Sequence, residues 1–263
     1  MSYFKALAYK IKQILGGIKM KKLFISIFIF FSPAAVLMGI TPEEILERML
    51  ENQVHDTARI EGKMIIQDRF GKKTVTFVSW SRGEDNALIE FTSKYEAGQK
   101  ILRNEDELYL YFPDAEEVIR LQGAALRQSV LGSDFSYEDM TGEKDLLDSY
   151  KVTLLGSEEV DGHDCYKLQL EAVSRNVPYP REILWVDKEL FIYRKVHKFS
   201  LSGRLLKEMR ITRFTRQNGK VIPVELLMED KMKKNSSTEF IIQKIEIGIP
   251  IPEEKFSLRE LTW

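Results

Sequence analysis

The spacing of apolar residues changes once along the ordered-looking part of this chain, near residue 58. Before it, Ile45, Leu46, Met49 and Leu50 recur at helical intervals. Thr41 is suited to cap that helix, Pro42 to its first position, and Glu44 to complete a capping box, so a helix is predicted from Pro42 to about Val54. From Ala58 onward the period is two. Ile60, Gly62, Met64 and Ile66 alternate with Glu61, Lys63, Ile65 and Gln67. Phe70-Gly71-Lys72 turns the chain, and Val75, Phe77 and Ser79 then alternate with Thr76, Val78 and Trp80. Further strands are predicted at about 87–93, 99–103, 107–112 and 117–122. After a gap they resume at about 150–160, 163–172, 181–187, 192–200, 204–215, 221–230 and 238–247. Asp161-Gly162, Ser202-Gly203 and Asn218-Gly219 supply tight turns between them. Pro223 cannot donate a ladder bond and belongs at a strand start, a bulge or an edge.

The gap at 123–149 breaks this series. Its centre, Gln128 to Met140, reads as a short apolar helix running into an aromatic, acidic loop. About twelve short strands in succession predict one strongly curved antiparallel sheet, a half-barrel, whose concave face must be buried. The N-terminal helix and the insert are the candidate covers, and two such covers on a broad half-barrel leave a cavity more readily than they fill one. The fold class is therefore mainly β with helices. With no linker, repeat or low-complexity run, residues 40–263 read as a single domain.

Charge is unevenly spread. The formal net charge is −1, yet residues 1–39 hold Lys5, Lys10, Lys12, Lys19, Lys21 and Lys22 and no acid. Taking those six from the 39 basic residues leaves 33 against 40 acidic ones, a net −7 for residues 40–263. A chain of that sign lacks the electrostatic footprint of a nucleic-acid binder. Lys21 and Lys22 precede a nine-residue run, Leu23 to Phe31, that is apolar except for Ser26. Pro33 follows, and Leu37-Met38-Gly39 offers a small-residue cleavage site. This reads as a cleavable export signal starting at Met20, with residues 1–19 an upstream extension. An uncleaved inner-membrane anchor is the alternative. The single cysteine, Cys165, lies far from the cleavage site, so lipidation of the mature protein is not expected.

Catalytic groupings are missing from the sequence. His55, His163 and His197 lack ligand spacing, and there is no G-x-S-x-G, H-E-x-x-H or phosphate loop. His163-Asp164-Cys165 opens a strand, where Cys165 is expected to pack as a small apolar residue. No enzyme activity, cofactor or metal is expected. The acids Asp134, Glu138 and Asp139 of the insert are read as a solvated loop whose carboxylates cap helix N-termini, with steering of a basic partner as the alternative. Trp80 and Trp185 are expected in the core or at a rim.

Several segments in order carry a resemblance. They are Lys100-Ile-Leu-Arg, Leu108-Tyr-Leu-Tyr-Phe-Pro113 and Gly132-Ser-Asp-Phe-Ser-Tyr-Glu-Asp139, then Leu154-Leu-Gly-Ser-Glu-Glu, Gly162-His-Asp-Cys-Tyr166 and Leu184-Trp-Val-Asp-Lys-Glu189. Gly203-Arg-Leu-Leu-Lys207, Val221-Ile-Pro-Val224 and Gly248-Ile-Pro250 complete them. Together they resemble the LolA/LolB-like family of outer-membrane lipoprotein-sorting proteins, and within it the LolA-like carrier branch of spirochaetes and other diderm bacteria. The resemblance implies a half-barrel with an apolar cavity for acyl chains. It implies a soluble periplasmic carrier, working as a monomer between an inner-membrane exporter of the ABC or resistance-nodulation-division type and an outer-membrane acceptor. The expected lining is Phe77, Phe91, Leu108, Leu110 and Phe112 from strands and Leu126, Val130, Leu131, Phe135 and Tyr137 from the insert. A non-catalytic envelope scaffold is the alternative function, and a lipid-ester hydrolase a more distant one.

Overall fold

The N-terminal helix forms where its signals place it. In the computed structural model, which describes residues 39–141, 145–174 and 177–262, α1 spans Pro42–Gln53 and the Thr41 hydroxyl accepts the Glu44 backbone N–H at 3.1 Å. Glu44 itself turns forward to Arg48, 2.7 Å away. Residues 1–38, where the export-signal reading falls, lie outside the described residues.

Among the described residues, thirteen strands make one antiparallel sheet that does not close into a barrel. The first six are β1 (Ala58–Asp68), β2 (Gly71–Arg82), β3 (Asn86–Phe91), β4 (Lys100–Asn104), β5 (Glu107–Phe112) and β6 (Glu117–Leu121). The last seven are β7 (Tyr150–Val160), β8 (His163–Ala172), β9 (Arg181–Asp187), β10 (Tyr193–Phe199), β11 (Leu205–Gln217), β12 (Lys220–Asp230) and β13 (Ser237–Ile247). Their spatial order is β6-β5-β4-β3-β2-β1-β13-β12-β11-β10-β9-β8-β7. Every hairpin is local except one joint: β1 pairs with β13, the first strand with the last. That joint makes β6 and β7 the two outer edges. The chain between them must then cross the whole width of the sheet, and this is the reason that the insert lies over a face.

The insert is not the short apolar helix followed by a loop that its sequence suggests. It consists of two 3-10 turns, Gly123–Arg127 and Val130–Gly132, and two short helices, α2 (Tyr137–Thr141) and α3 (Leu146–Ser149). Leu131 takes a φ of 52°, which ends the second turn at once. Pro223 sits opposite Phe214, where the β11–β12 register shifts. The C-terminal tail closes the other face of β3 and β4: Ile251, Phe256 and Leu261, the last within α4 (Leu258–Leu261), are buried against Leu88 and Leu102.

Two apolar clusters fill the concave side. Under the insert, Met64, Phe77, Ile89, Phe91, Leu108 and Leu110 meet Val130 and Phe135. Under α1 and α3, Leu168, Leu170, Leu184 and Val196 meet Ile45, Leu46, Met49 and Leu146.

Candidate functional site

Between those two clusters the packing leaves a cavity of about 380 Å³ on the concave face. That lies within the roughly 300–1,000 Å³ typical of small-molecule sites. Met49 and Leu50 of α1 form one side, and Phe135 and Met140 of the insert another. The floor comes from inward positions of the sheet, including Ile60, Phe77, Ile89, Leu184, Val196, Met209, Met228 and Phe240. Phe240 stacks at 5.0 Å from Phe77 and 5.7 Å from Phe135, which ties floor to cover. Gly62 permits this arrangement. A Cβ there would stand 2.7 Å from the Phe77 ring and 2.8 Å from the Ile241 carbonyl oxygen.

Of the ten predicted lining residues, Phe77 and Phe135 reach the cavity. Phe91, Leu108, Leu110 and Val130 are buried in the cluster beneath the insert, and Phe112, Leu126, Leu131 and Tyr137 pack half-buried against it. All ten belong to one cluster, which borders the cavity through Phe77 and Phe135 and holds the other eight behind them. The remaining lining comes from α1, from β1 to β3, from β8 to β13 and from the insert.

The cavity has a polar side that the sequence reading missed. Asp139, Glu182 and Lys198 line it. The Asp139 side chain is only 3% exposed, and its Oδ2 accepts Lys207 Nζ at 2.6 Å while its Oδ1 accepts Lys198 Nζ at 3.2 Å. The Tyr179 hydroxyl donates to the same carboxylate at 3.1 and 3.2 Å. The Ser136 backbone N–H and hydroxyl add bonds of 2.9 and 2.7 Å, and the Asp139 N–H returns one to the Ser136 hydroxyl at 3.2 Å. Burial by itself would raise the Asp139 pKa. The ammonium groups of Lys198 and Lys207, with the hydrogen bonds of Lys207 and Ser136, outweigh it and hold the carboxyl well below the usual carboxylate range. Glu182 lies 3.8 Å from Lys198.

Asp134 and Asp139 of the insert are therefore not solvated, and Glu138 is half-buried. Asp139 does cap α2, as a capping box with Ser136, but it is buried against two lysines of the sheet. Asp134 is buried as well and accepts Ser236 Oγ at 2.6 Å and Thr238 Oγ1 at 2.8 Å. Lys233 closes over the same stretch, donating to the Ser133 carbonyl at 2.6 Å. The insert is thus pinned to the sheet at two points. A sequence signal existed for the lysine side: Val196 and Lys198, Lys207 and Met209, and Glu182 and Leu184 share a strand face at period two. A charge in register with an apolar face is a buried charge awaiting a partner.

Other candidates resolve simply. Cys165 is buried with Val160, Ile183 and Trp185, and burial first, then the Asp187 charge, push its thiol up to about 11. No group of three or more His, Cys, Asp and Glu among the described residues has the arrangement to hold a metal ion. No helix among them is long and apolar enough to cross a membrane.

Comparison with known proteins follows the architecture. A family model described as "-like: Uncharacterized protein" matches residues 83–263. A DUF1329 family protein from Desulfovibrio piger superposes with a TM-score of 0.77 at 24% identity, covering 83% of this chain and 96% of that one. A LolA superfamily protein from Nitrosomonas europaea gives 0.73 at 26% identity, covering 84% and 100%. A domain provisionally described as outer membrane lipoprotein-sorting, from Vibrio parahaemolyticus, gives 0.76 at 21%, covering 85% and 100%. Among curated proteins none matches the sequence.

Proposed function

The chain belongs to the family whose model matches residues 83–263, and for a chain with this LolA-superfamily fold we propose a carrier function. It holds acyl chains of a lipoprotein or another lipid in the concave-face cavity and moves them across the periplasm toward the outer membrane, with no covalent chemistry. The observation that carries this reading is the cavity itself: apolar side chains from α1, the insert and nine strands surround it. Each methylene moved out of water is worth about 0.8 kcal/mol, so a long acyl chain supplies its own driving force and needs few polar anchors. Phe77 and Phe135 are the contacts proposed from the original ten. The other eight form the wall behind them and meet a larger cargo if the insert shifts.

One polar group supports an amphiphilic ligand. Gln53 lines the cavity, and its side-chain nitrogen is buried with no hydrogen-bond partner among the described residues. An ester carbonyl or a carboxylate at the head of an acyl chain would satisfy it. An inner-membrane exporter as donor and an outer-membrane acceptor complete the route, and the carrier acts as a monomer. The test is mass spectrometry of lipids extracted from the protein purified out of its native envelope. Stoichiometric acylated lipid or lipoprotein is the expected result. Protein that repeatedly emerges without lipid, and takes up none from vesicles, would instead favour the scaffold reading.

A further inference from the structure

Consecutive antiparallel hairpins alternate between the two ends of a sheet, so the loops of this fold sort by end. The pairings Asp68↔Gly71, Gln67↔Ser237, Phe77↔Phe91 and Lys207↔Asp230 place the loops at 69–70, 92–99, 200–204 and 231–236 together at one end. These four loops carry Arg69, Lys94, Arg204, Lys231, Lys233 and Lys234 against a single acid, Glu96, whose buried carboxylate is paired with Lys73. The loops at the opposite end, 83–85, 105–106, 161–162, 188–192 and 218–219, reverse the balance. They carry Glu84, Asp85, Glu105, Asp106, Asp161 and Glu189 against Lys188. The β5–β6 turn at the sheet's edge adds Asp114 and Glu116 to the basic end, and the β8–β9 connection brings the exposed Val173 there.

Exposed apolar side chains follow the same division. Leu201, Tyr95 and Phe70 are the three most exposed large hydrophobic residues among those described, at 90%, 85% and 82%, and each sits on a different loop of the basic end. Met232 occupies the fourth loop. Phe70, Tyr95 and Met232 each have a cation beside them in sequence, Leu201 has Arg204 three residues on, and the Arg69 guanidinium stands 4.5 Å over the Phe70 ring. Among the described residues Arg69, Lys94, Arg204 and Lys234 enter no ion pair.

We propose that this rim docks on an anionic lipid bilayer, with Phe70, Tyr95, Leu201 and Met232 entering the headgroup layer and the flanking cations facing lipid phosphates. Single apolar tips set among lysines suit a headgroup layer, which accepts both at once. A protein interface favours a contiguous apolar centre depleted in lysine. The inference goes beyond the cavity and stands whether or not the cavity holds an acyl chain.

The test uses the full chain and a local readout, because the apolar run at 23–31 is common to every variant. Cys165 is buried, so an environment-sensitive dye reacts at an introduced thiol, in Leu201→Cys or in Asp161→Cys at the acidic end. Vesicles are phosphatidylcholine with or without phosphatidylglycerol. The dye at 201 should brighten on the anionic vesicles and lose that response as salt is raised, while the dye at 161 stays silent. Adding Arg69→Gln, Lys94→Gln and Lys234→Gln should raise the lipid concentration needed by roughly fivefold per cation, about a hundredfold together. An equal response at both positions, or an unchanged response in the triple variant, overturns the proposal. Silence at 201 also overturns it and leaves an acidic protein as the partner of this rim.

Discussion

Replacing Asp139 by asparagine removes one charge and almost no volume, which isolates the electrostatics of the pinned insert. The carboxylate accepts two lysines, a tyrosine and both donors of Ser136. An asparagine keeps one oxygen and turns its amide hydrogens toward Lys198 or Lys207. Breaking a buried pair by removing one partner costs about 3–5 kcal/mol, mostly the penalty of the stranded charge. Glu182, 3.8 Å from Lys198, offsets part of that cost and leaves Lys207 as the uncompensated group. The expected loss is therefore near the lower figure, about 3 kcal/mol by urea unfolding near neutral pH. Because the folded carboxyl titrates below its ordinary value, its contribution is complete above the unfolded value of about 3.9 and is lost as pH falls through the folded one. The difference between wild type and Asp139→Asn should accordingly shrink toward about pH 2. Hydrogen exchange of the insert amides should rise in the variant at neutral pH. Adding Lys207→Met to Asp139→Asn should restore part of the stability, since it removes the uncompensated charge and leaves Lys198 paired with Glu182. A loss below about 1 kcal/mol at neutral pH, or one equally large in acid, would refute the reasoning.

Three further outcomes are expected. Phe135→Asp should weaken binding of a fluorescent fatty acid by at least about tenfold, because it sets a charge in an apolar wall; circular dichroism should still report the sheet, and unaltered binding would remove the insert from the site. Gly62→Ala should lower the melting temperature by several degrees, an overpacking cost of about 1–3 kcal/mol, and Phe77→Leu should recover part of it by clearing the ring from the new methyl group. In the native protein Cys165 should resist thiol reagents at neutral pH and react fully only in denaturant, since burial raises its pKa to about 11.

Local structure was legible in the sequence because it follows from local rules. The change of period near residue 58 separated helix from sheet, Thr41 and Pro42 marked the helix start, and the strands fell close to their predicted positions. Phe77, Phe91, Leu108 and Leu110 all turn inward, into the cluster beneath the insert. The insert was less legible. Its residues suggested a short apolar helix followed by a loop, but Leu131 in a left-handed conformation and the Ser136–Asp139 capping box divide it into short pieces. Its acids looked solvated because their partners, Lys198, Lys207, Ser236 and Thr238, lie 59 to 104 positions away. No local pattern couples residues at that separation.

The sequence by itself determined the elements, their apolar faces and the insert that had to cover one of them, since periodicity and capping depend on neighbours along the chain. Tertiary structure alone decided where the insert goes. Pairing of β1 with β13 sends β6 and β7 to opposite edges, so the segment between them spans the concave face. The same pairing sorts basic and acidic loops to opposite ends and brings Asp139 onto Lys198 and Lys207. Those consequences follow from one long-range joint, whose register is set by burial of a face that exists only once the sheet has curved.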